Sequence, residues 1–260
     1  MNFETITVEK QDKIGQITLN RPDKLNTFSL KLATELNAAL KQLDSDAEVH
    51  VVVIKANGKA FSAGIDVSEL AGKSVVETRG WIRAMDEHNL TIANMKKPVI
   101  ASVQGIAAAN GCGLVAACDM AIAAEEARFG TTGINVGVFC FAPGYQVLAS
   151  IGKKRAMEMV LTGKVISAAE SEKIGLINKV VPADKLQEET MELARQLASK
   201  SPVALQMGKA AFYKVPGMGY ESAMTYLSET FALLCSTEDA HEGVTAFLEK
   251  RKPVWKETLG

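Results

Sequence analysis

The sequence predicts an α/β protein with a helical extension at its C-terminal end. Strand patterns and helix patterns alternate up to about residue 200, whereas only amphipathic helix patterns follow Pro202. No internal repeat and no low-complexity linker divides the 260 residues. With 47% hydrophobic and 23% charged residues, the chain has the composition of an ordinary globular protein that buries a large core.

The first third of the chain is rich in predicted strands. Apolar and polar residues alternate over residues 6–8 and roughly so over 14–19, and Ser29 is placed to cap a helix whose leucines recur on one face. Residues 49–54 (VHVVVI) form a nearly continuous apolar run, which is typical of a strand buried on both faces. A helix pattern over residues 79–95 completes this part.

The middle of the chain alternates between short strands and helices. Strand patterns occupy residues 98–103, 120–123 and 177–181, and Pro182 ends the last of them. Helix patterns occupy residues 111–118 and 184–200, and the capping box Ser167-Ala-Ala-Glu170 begins a further helix.

Charge and cysteine usage exclude several classes of function. Twenty-nine basic against thirty acidic residues give a net charge of −1, which provides no positive field to hold nucleic acid. The cysteines (112, 118, 140 and 235) lack metal-ligand spacing, so we expect neither a metal site nor a disulfide framework. The first thirteen residues carry no basic-then-apolar signal, and the expected location is therefore cytoplasmic.

Two long stretches of the chain carry no charged residue. Residues 98–118 are numerous enough to span a bilayer, but they hold Gln104, Asn110 and several glycines, and contain more Ala than Leu. A buried strand and helix fit this composition better than a membrane span. The second stretch, residues 129–152, is broken by glycine and proline. A chain with 23% charged residues that keeps two such stretches is expected to bury both.

Two glycine-containing motifs follow buried strands. In KAFSAGID (residues 59–66), Gly64 allows a sharp turn that leaves the N–H of Ile65 free to point into a cavity. In QGIAAANGCG (residues 104–113), the chain runs into a helix whose N-terminus offers free N–H groups. Two such groups aimed at one point would form an oxyanion hole. The alternative is that both motifs are simple turns between a strand and a helix.

Read together, the motifs resemble the crotonase (enoyl-CoA hydratase/isomerase) superfamily. The matching segments occur in family order over essentially the whole chain: AFSAGID, QGIAAANGCGLVAACDMAIA, ARFG, AMEMVLTG with ISAAES, GLINKVVP and GVTAFLEKRKPVW. FGTTGINVGVFC and TAFLEKRKPVW are similar to the subgroup named enoyl-CoA hydratase domain-containing proteins. The resemblance implies a spiral of ββα repeats over residues 1–200 that binds acyl-CoA. It also implies a helical region, 201–260, that builds a homotrimer or a hexamer.

The resemblance further implies a coenzyme A thioester as ligand, with no other cofactor and no membrane partner. The N–H groups of Ile65 and Asn110 would hold the thioester oxygen. Positions that match the family's contacts to coenzyme A are Lys24, Leu25, Ala63, Ile65 and Asp66, together with Phe247 and Lys250, which often act from a neighbouring subunit. The charged side chains at 24, 66 and 250 have the alternative of being solvated surface groups.

The sequence departs from the family at the acid–base positions. Hydratases of the family use two glutamates, and this chain has Gly113 and Gly133 at those positions, while Asn110 replaces the usual oxyanion glycine. Acid–base groups contribute ~10²–10⁴-fold in rate, whereas one oxyanion donor contributes ~10²–10³-fold. The chain is therefore expected to be a poor hydratase of simple short-chain enoyl-CoA. Glutamate restored at both positions is expected to raise any hydration of crotonyl-CoA.

Other side chains are candidates for the missing proton transfer. The Cys140 thiol could act as acid, base or nucleophile, with a buried structural cysteine as the alternative. The Tyr145 hydroxyl could donate a proton, with a packed, hydrogen-bonded tyrosine as the alternative. Glu69 and His88 could reach in from the lid region, or lie on a solvated helix face. Asn135, like Asn110, could bind an attacking water.

Three functions remain open at the level of the sequence. The first is an acyl-CoA enzyme that performs hydration, isomerisation or a related step. The second is a non-catalytic acyl-CoA-binding protein, favoured by the absence of both glutamates. The third is dinucleotide binding, because residues 111–116 (GCGLVA) match G-x-G-x-x-A. That fit is poor, since the motif begins past the end of its strand and the acidic pair Glu125-Glu126 follows too early.

Overall fold

Two sheets organise the computed structural model, which describes residues 3–256. The main sheet has the strand order β1-β2-β3-β4-β6-β9, and the second sheet has the order β5-β7-β8. In the main sheet β1 and β2 are antiparallel, and each later neighbour is parallel. The strands are β1 (Ile6–Gln11), β2 (Ile14–Leu19), β3 (Val51–Ala56), β4 (Val99–Val103), β5 (Ile106–Ala108), β6 (Met120–Ala124), β7 (Arg128–Gly130), β8 (Val165–Ser167) and β9 (Lys179–Val181).

The helices cover the sheets and then leave them at the C-terminal end. They are α1 (Leu30–Ser45), α2 (Val75–Asn94), α3 (Asn110–Ala117), α4 (Phe141–Ile151), α5 (Lys153–Thr162), α6 (Ala168–Lys173), α7 (Leu186–Ala198), α8 (Pro202–Lys214), α9 (Tyr220–Cys235) and α10 (Glu238–Leu248). The predicted α/β class is confirmed, as is the purely helical character of the described chain after Pro202.

The chain advances by a strand in each sheet followed by a helix. β4 lies in the main sheet, β5 in the second sheet, and α3 follows; β6, β7 and α4 repeat this order. Consecutive repeats pair in parallel in both sheets, with Ile100 opposite Met120 and Ile106 opposite Arg128. The second strand of each repeat has only three residues, which is too short to show a period in the sequence.

Local signals account for most element boundaries. Ser29 caps α1 as predicted, because its Oγ accepts a hydrogen bond from the Leu32 N–H. α2 begins at Val75, four residues before the predicted start, because Ser74 and Glu77 form a capping box. Ser167 also caps its helix, but the Glu170 carboxylate contacts Lys164 rather than completing the predicted box.

The two charge-free stretches are largely buried around the junction of the sheets. The first forms β4, β5 and α3, and most of its residues are buried. The second forms β7, a short 3₁₀ turn (Thr132–Val136) and α4. Within residues 3–256, no helix combines the length and the apolar character that crossing a membrane requires.

The C-terminal helices differ from the rest of the fold in their burial. The 16 residues of α9 include none that is buried in the described chain. Tyr220, Met224 and Phe231 are exposed at spacings of four and seven residues, which places them on one stripe of α9. Val244 and Phe247 form a similar exposed stripe on α10. The division of the chain at residue 200 stays a prediction.

Alanine at Gly111 is expected to destabilise the fold by about 1–3 kcal/mol, as overpacked sites do. Gly111 lies in α3, and a Cβ there would overlap the carbonyl oxygen and the Cβ of Ser62. Gly80→Ala is the matched control, because Gly80 lies in α2 with no atom near its Cβ position. The control variant should gain about 0.5–1 kcal/mol in the free energy of unfolding, because alanine is more favourable than glycine within a helix. Urea unfolding of both variants measures this, and equal stability of the two would contradict the close approach.

Candidate active site

The turn that follows β3 docks onto the second sheet. The Ser62 N–H donates to the Ile106 carbonyl oxygen at 3.0 Å, and the Ala108 N–H donates to the Ser62 carbonyl oxygen at 2.8 Å. Ser62 and Ala107 therefore form a parallel bridge at the edge of β5. A Cβ on Gly64 would lie 3.0 Å from the Ala109 Cβ. The turn and the segment that leads into α3 are thus direct neighbours.

The N–H of Ile65 is left without a partner by the pairing of its neighbours. The Phe28 N–H donates to the Gly64 carbonyl oxygen at 2.7 Å, and the Asp66 N–H donates to the Phe28 carbonyl oxygen at 2.8 Å. In extended chain, successive residues direct their amides to opposite sides. The Ile65 N–H therefore points away from Phe28, and no acceptor among the described residues bonds it. Gly64 permits this course with a φ of +107°.

The N–H of Asn110 is the second unpaired amide. Asn110 is the first residue of α3, where backbone amides have no intrahelical acceptor. Ala109, the preceding residue, has a φ of +45°, which an L-residue adopts only where its surroundings hold it. The Ala109 N–H donates to the Gly130 carbonyl oxygen at 2.8 Å, and the Ala109 carbonyl oxygen accepts from the Gly113 N–H at 2.9 Å. These bonds fix the start of α3.

Both unpaired amides belong to residues that line one cavity of about 450 Å³, called the site cavity below. Its walls come from the turn 63–70, from α2, from the start of α3, and from the segment 132–143. Most lining side chains are apolar. The full lining is Ala63, Ile65, Val67, Leu70, Thr78, Trp81, Ile82, Asp86, Ala109, Asn110, Thr132, Gly133, Asn135, Val136, Val138, Phe139, Cys140, Phe141, Ala142 and Pro143.

The positions predicted to contact coenzyme A divide into two groups. Leu25 follows Lys24 in the chain, and its carbonyl oxygen accepts from the Ala63 N–H at 3.0 Å, so this segment lies beside the turn. Asp66 bonds Ser68 Oγ at 2.6 Å and Arg21 Nη2 at 3.2 Å, and these contacts hold the pKa of its carboxyl below the usual range. In a single described chain, neither Phe247 nor Lys250 lines the site cavity.

The enoyl-CoA hydratase/isomerase family profile matches residues 9–258 of the chain. The chain belongs to this family. A probable enoyl-CoA hydratase from Rhizobium meliloti (strain 1021) is 40% identical over 98% of this chain and 99% of its own length. The mitochondrial enoyl-CoA hydratase domain-containing protein 3 of Homo sapiens is 40% identical over 94% of this chain and 81% of its own length.

Solved structures of the family share the whole fold. The crystal structure of an enoyl-CoA hydratase from Mycobacterium smegmatis superposes with a TM-score of 0.94 at 38% identity, covering 97% of this chain and 99% of the other. Human enoyl-CoA hydratase domain-containing protein 3 gives a TM-score of 0.93 at 39% identity, with 97% and 100% covered. The predicted family is confirmed. The cytoplasmic location stays a prediction.

The positions predicted to match the family's glutamates are closed by neighbouring atoms. A Cβ on Gly113 would lie 2.8 Å from both Cα and Cβ of Pro143, at the start of α4. A Cβ on Gly133 would lie 2.9 Å from the Sγ of Cys140. Neither glycine leaves open space for a bulky acyl group. The same packing gives the G-x-G match no room for a pyrophosphate, because Gly111 and Gly113 both face protein atoms.

Cys140 and Tyr145 differ in their access to the site cavity. Cys140 is 8% exposed in the cavity wall, and burial raises the pKa of its thiol. A neutral thiol at pH 7 is a poor nucleophile. Tyr145 is 66% exposed, so the prediction of a packed tyrosine is wrong. It lines a neighbouring groove between α2 and α4, called the α2–α4 groove below, and not the site cavity.

The lid-region candidates have structural contacts instead. His88 is buried against the Phe28 ring at 5.4 Å, and burial lowers the pKa of its imidazole to about 4, so the solvated-face alternative is wrong. The Glu69 Oε2 accepts from Trp81 Nε1 and from the Leu30 N–H, each at 2.9 Å. Asn135 lines the site cavity, but its side-chain amide lies against Gly163.

Sequence reasoning missed Asp86. This residue lies on α2 and lines both the site cavity and the α2–α4 groove. Burial raises the pKa of the Asp86 carboxyl to about 6. Ile82 and Asn89 stand one turn before and one turn after Asp86 in the helix pattern over residues 79–95. The helical period could therefore have shown that Asp86 shares a face with these two residues.

The packing revises the expectation that restored glutamates raise hydration: glutamate at position 113 is instead expected to cost stability and to leave hydration low. The new side chain must displace the backbone of Pro143, so Gly113→Glu should lose about 1–3 kcal/mol. Gly133→Glu combined with Cys140→Ala should lose less stability, because the atom closest to the new Cβ at position 133 is the Sγ of Cys140. Thermal unfolding and crotonyl-CoA hydration measure the two effects. Wild-type stability in Gly113→Glu would refute the packing of α4 on α3.

Proposed function

We propose that this chain is an acyl-CoA enzyme that stabilises a thioester enolate in an oxyanion hole formed by the N–H groups of Ile65 and Asn110. The observation that carries this proposal is the pair of unpaired amides, from separate segments, at residues that line one apolar cavity. An unpaired buried amide costs free energy. Two of them beside one cavity are explained by a ligand oxygen that accepts from both.

The apolar walls determine the strength of this interaction. Fixed dipoles act more strongly on a developing negative charge where water is excluded. The N-terminus of α3 adds the positive end of a helix dipole beside Asn110. The proposed chemistry therefore passes through an enolate whose negative charge is carried by the thioester oxygen. In isomerisation the enolate forms when a proton leaves a carbon of the acyl chain, whereas in hydration it forms when water adds at the β carbon and is then protonated at the α carbon.

The coenzyme A part of the ligand is proposed to bind beside the turn. The Leu25 carbonyl oxygen accepts from the Ala63 N–H, and Lys24 precedes Leu25 in the chain. We therefore expect this edge of the site to offer a cation and backbone groups to the nucleotide. The exposed stripes of α9 and α10 support a homotrimer or a hexamer. In such an assembly Phe247, which is 81% exposed in one chain, would reach the neighbouring subunit's ligand together with Lys250.

A non-catalytic acyl-CoA-binding protein is the second candidate. It is favoured by the closure of positions 113 and 133 against Pro143 and Cys140. The two functions differ in turnover and not in binding. Measurement of both quantities on the same protein therefore separates them.

The test is solvent exchange in D₂O with a panel of saturated and unsaturated acyl-CoA thioesters, followed by mass spectrometry. An enolate-forming enzyme should add deuterium at the α carbon or add water. Asn110→Pro should lower the exchange ~10²–10³-fold, because it removes one amide donor at a helix position where proline fits. Asn110→Ala keeps the backbone N–H donor, so its exchange rate should fall less. Thioesters that bind without any mass shift would favour the binding protein, and absence of binding would overturn both candidates.

The oligomer is tested by native mass spectrometry, and the expected mass is three or six chains. Phe231→Glu should shift it to one chain, because a charge in an apolar interface costs free energy. Phe231 is 66% exposed on α9, and Val75→Glu on α2 is the control at a similarly exposed apolar position. A monomeric wild-type protein would contradict the assembly, as would an intact oligomer in the Phe231 variant.

A further inference from the structure

Asp86 is the sole carboxylate among the described residues that line the site cavity. Asp86 belongs to α2, whereas Gly113 lies in α3 and Gly133 in the segment 132–143. Thr78, Trp81 and Ile82 line the same cavity from the preceding turns of α2. The regular spacing of this helix therefore directs Asp86 to the cavity as it does these side chains.

The half-buried Asp86 lacks the contacts that normally accompany a carboxylate removed from water. Its Oδ1 is buried and has no hydrogen-bond partner among the described residues. The neighbouring acids of α2 are all engaged: Glu77 completes a capping box with Ser74, and Glu87 pairs with Lys41 Nζ at 2.7 Å. A structural role would leave Asp86 with a similar contact. A carboxylate without a partner, held beside an apolar cavity, is instead available to a ligand.

We propose that Asp86 is the group that moves the proton in the enolate chemistry proposed above. This inference rests on that proposed function. The carboxylate removes a proton from a carbon of the acyl chain, so that the C–H bond breaks and an O–H bond forms on Asp86. The electron pair moves into the thioester, whose oxygen becomes negative and is held by the Ile65 and Asn110 amides. Return of the proton to the same or another carbon restores the carboxylate.

The reaction class follows from having one carboxylate in the cavity. Hydration needs groups to activate water and to supply a proton, and the positions of both family glutamates are closed. A single base that returns the proton it removed accounts for exchange at the α carbon and for migration of a double bond. We therefore assign Asp86 to isomerisation of unsaturated acyl-CoA thioesters, and not to hydration.

The other titratable groups near Asp86 belong to α2, to α4 and to the wall of the site cavity. Arg83 and Glu87 come from α2 and Tyr145 from α4, all lining the α2–α4 groove, and Cys140 lies in the cavity wall. None of them forms a hydrogen bond or an ion pair with Asp86 among the described residues. Burial raises the pKa of Asp86 to about 6. At pH 7 the carboxylate is thus mostly a base, with a pKa close enough to the working pH to return its proton.

The experiment compares Asp86→Asn with wild type, using exchange in D₂O at saturating 3-enoyl-CoA and 2-enoyl-CoA thioesters. Asparagine keeps the shape and removes the base, so exchange and double-bond migration should fall ~10²–10⁴-fold. Affinity, measured separately by calorimetry, should change little. Glu87→Gln removes the adjacent acid outside the cavity and is the matched control, with expected wild-type rates.

The outcomes distinguish this inference from the function on which it rests. Wild-type exchange with an equally active Asp86→Asn would overturn the role of Asp86 and leave the enzyme proposal intact. Binding without wild-type exchange would overturn both. The wild-type rate should also rise between pH 5 and 7 with an inflection near 6, and the variant should lack this inflection. An unchanged inflection in the variant would assign it to another group and contradict the inference.

Thermal unfolding provides a readout that does not depend on activity. The folded-state pKa of Asp86 lies above its ordinary value of 3.8, which means that ionisation of this carboxyl destabilises the folded protein. The stability associated with the neutral carboxyl is therefore present at low pH and is lost between about pH 4 and 6. Asp86→Asn should therefore unfold at a higher temperature than wild type at pH 8 and at the same temperature at pH 4. A lower midpoint at pH 8 would show a stabilising partner and would overturn the inference.

Discussion

The site depends on the docking of one serine against the second sheet. Ser62 uses its N–H and carbonyl oxygen to bridge β5, and its Oγ donates to the Asn26 carbonyl oxygen at 2.8 Å. The Asn26 side chain in turn donates to the carbonyl oxygens of Asn57 and Ala60. One buried residue thus holds the turn that presents Ile65, the edge of β5 that leads to Asn110, and the segment that follows Lys24. Displacement of Ser62 would separate all three.

The apolar character of the cavity walls has two opposite effects. It strengthens the interaction of the two amides with a negative oxygen, because little competing polarity surrounds them. It also penalises any ionised side chain that shares the cavity, which is the physical cause of the raised pKa of Asp86. The same environment that makes the amides effective therefore brings a carboxyl into the range where proton transfer at neutral pH is efficient. Burial raises the pKa of the Cys140 thiol in the same direction, and the thiol therefore stays protonated at neutral pH.

The sequence predicted the parts of the fold that carry a long pattern. The buried run at residues 49–54 and the cap at Ser29 are present, whereas β5, β7 and β8 have three residues each and cannot show a period. The family resemblance led to Ile65 and Asn110, both of which line the cavity. It did not reveal that Pro143 and Cys140 occupy the space at Gly113 and Gly133, because packing between distant segments leaves no local signal. Asp86 lies in the helix pattern over residues 79–95, outside both charge-free stretches and outside the motifs that resemble the family.

The closure of one wall explains why the proton-transfer group should stand on another. The start of α4 packs onto α3 at Gly113, and Cys140 occupies the space beside Gly133, so neither position admits a longer side chain without movement of backbone or thiol. α2 faces the cavity from the lid region, and its length of 20 residues allows several turns to present side chains there. A carboxyl on α2 can therefore reach the ligand without disturbing the packing that fixes the two amides. The amides and the base then occupy separate elements. The two amides that hold the thioester oxygen are therefore retained, while the base lies on α2 instead of at positions 113 and 133.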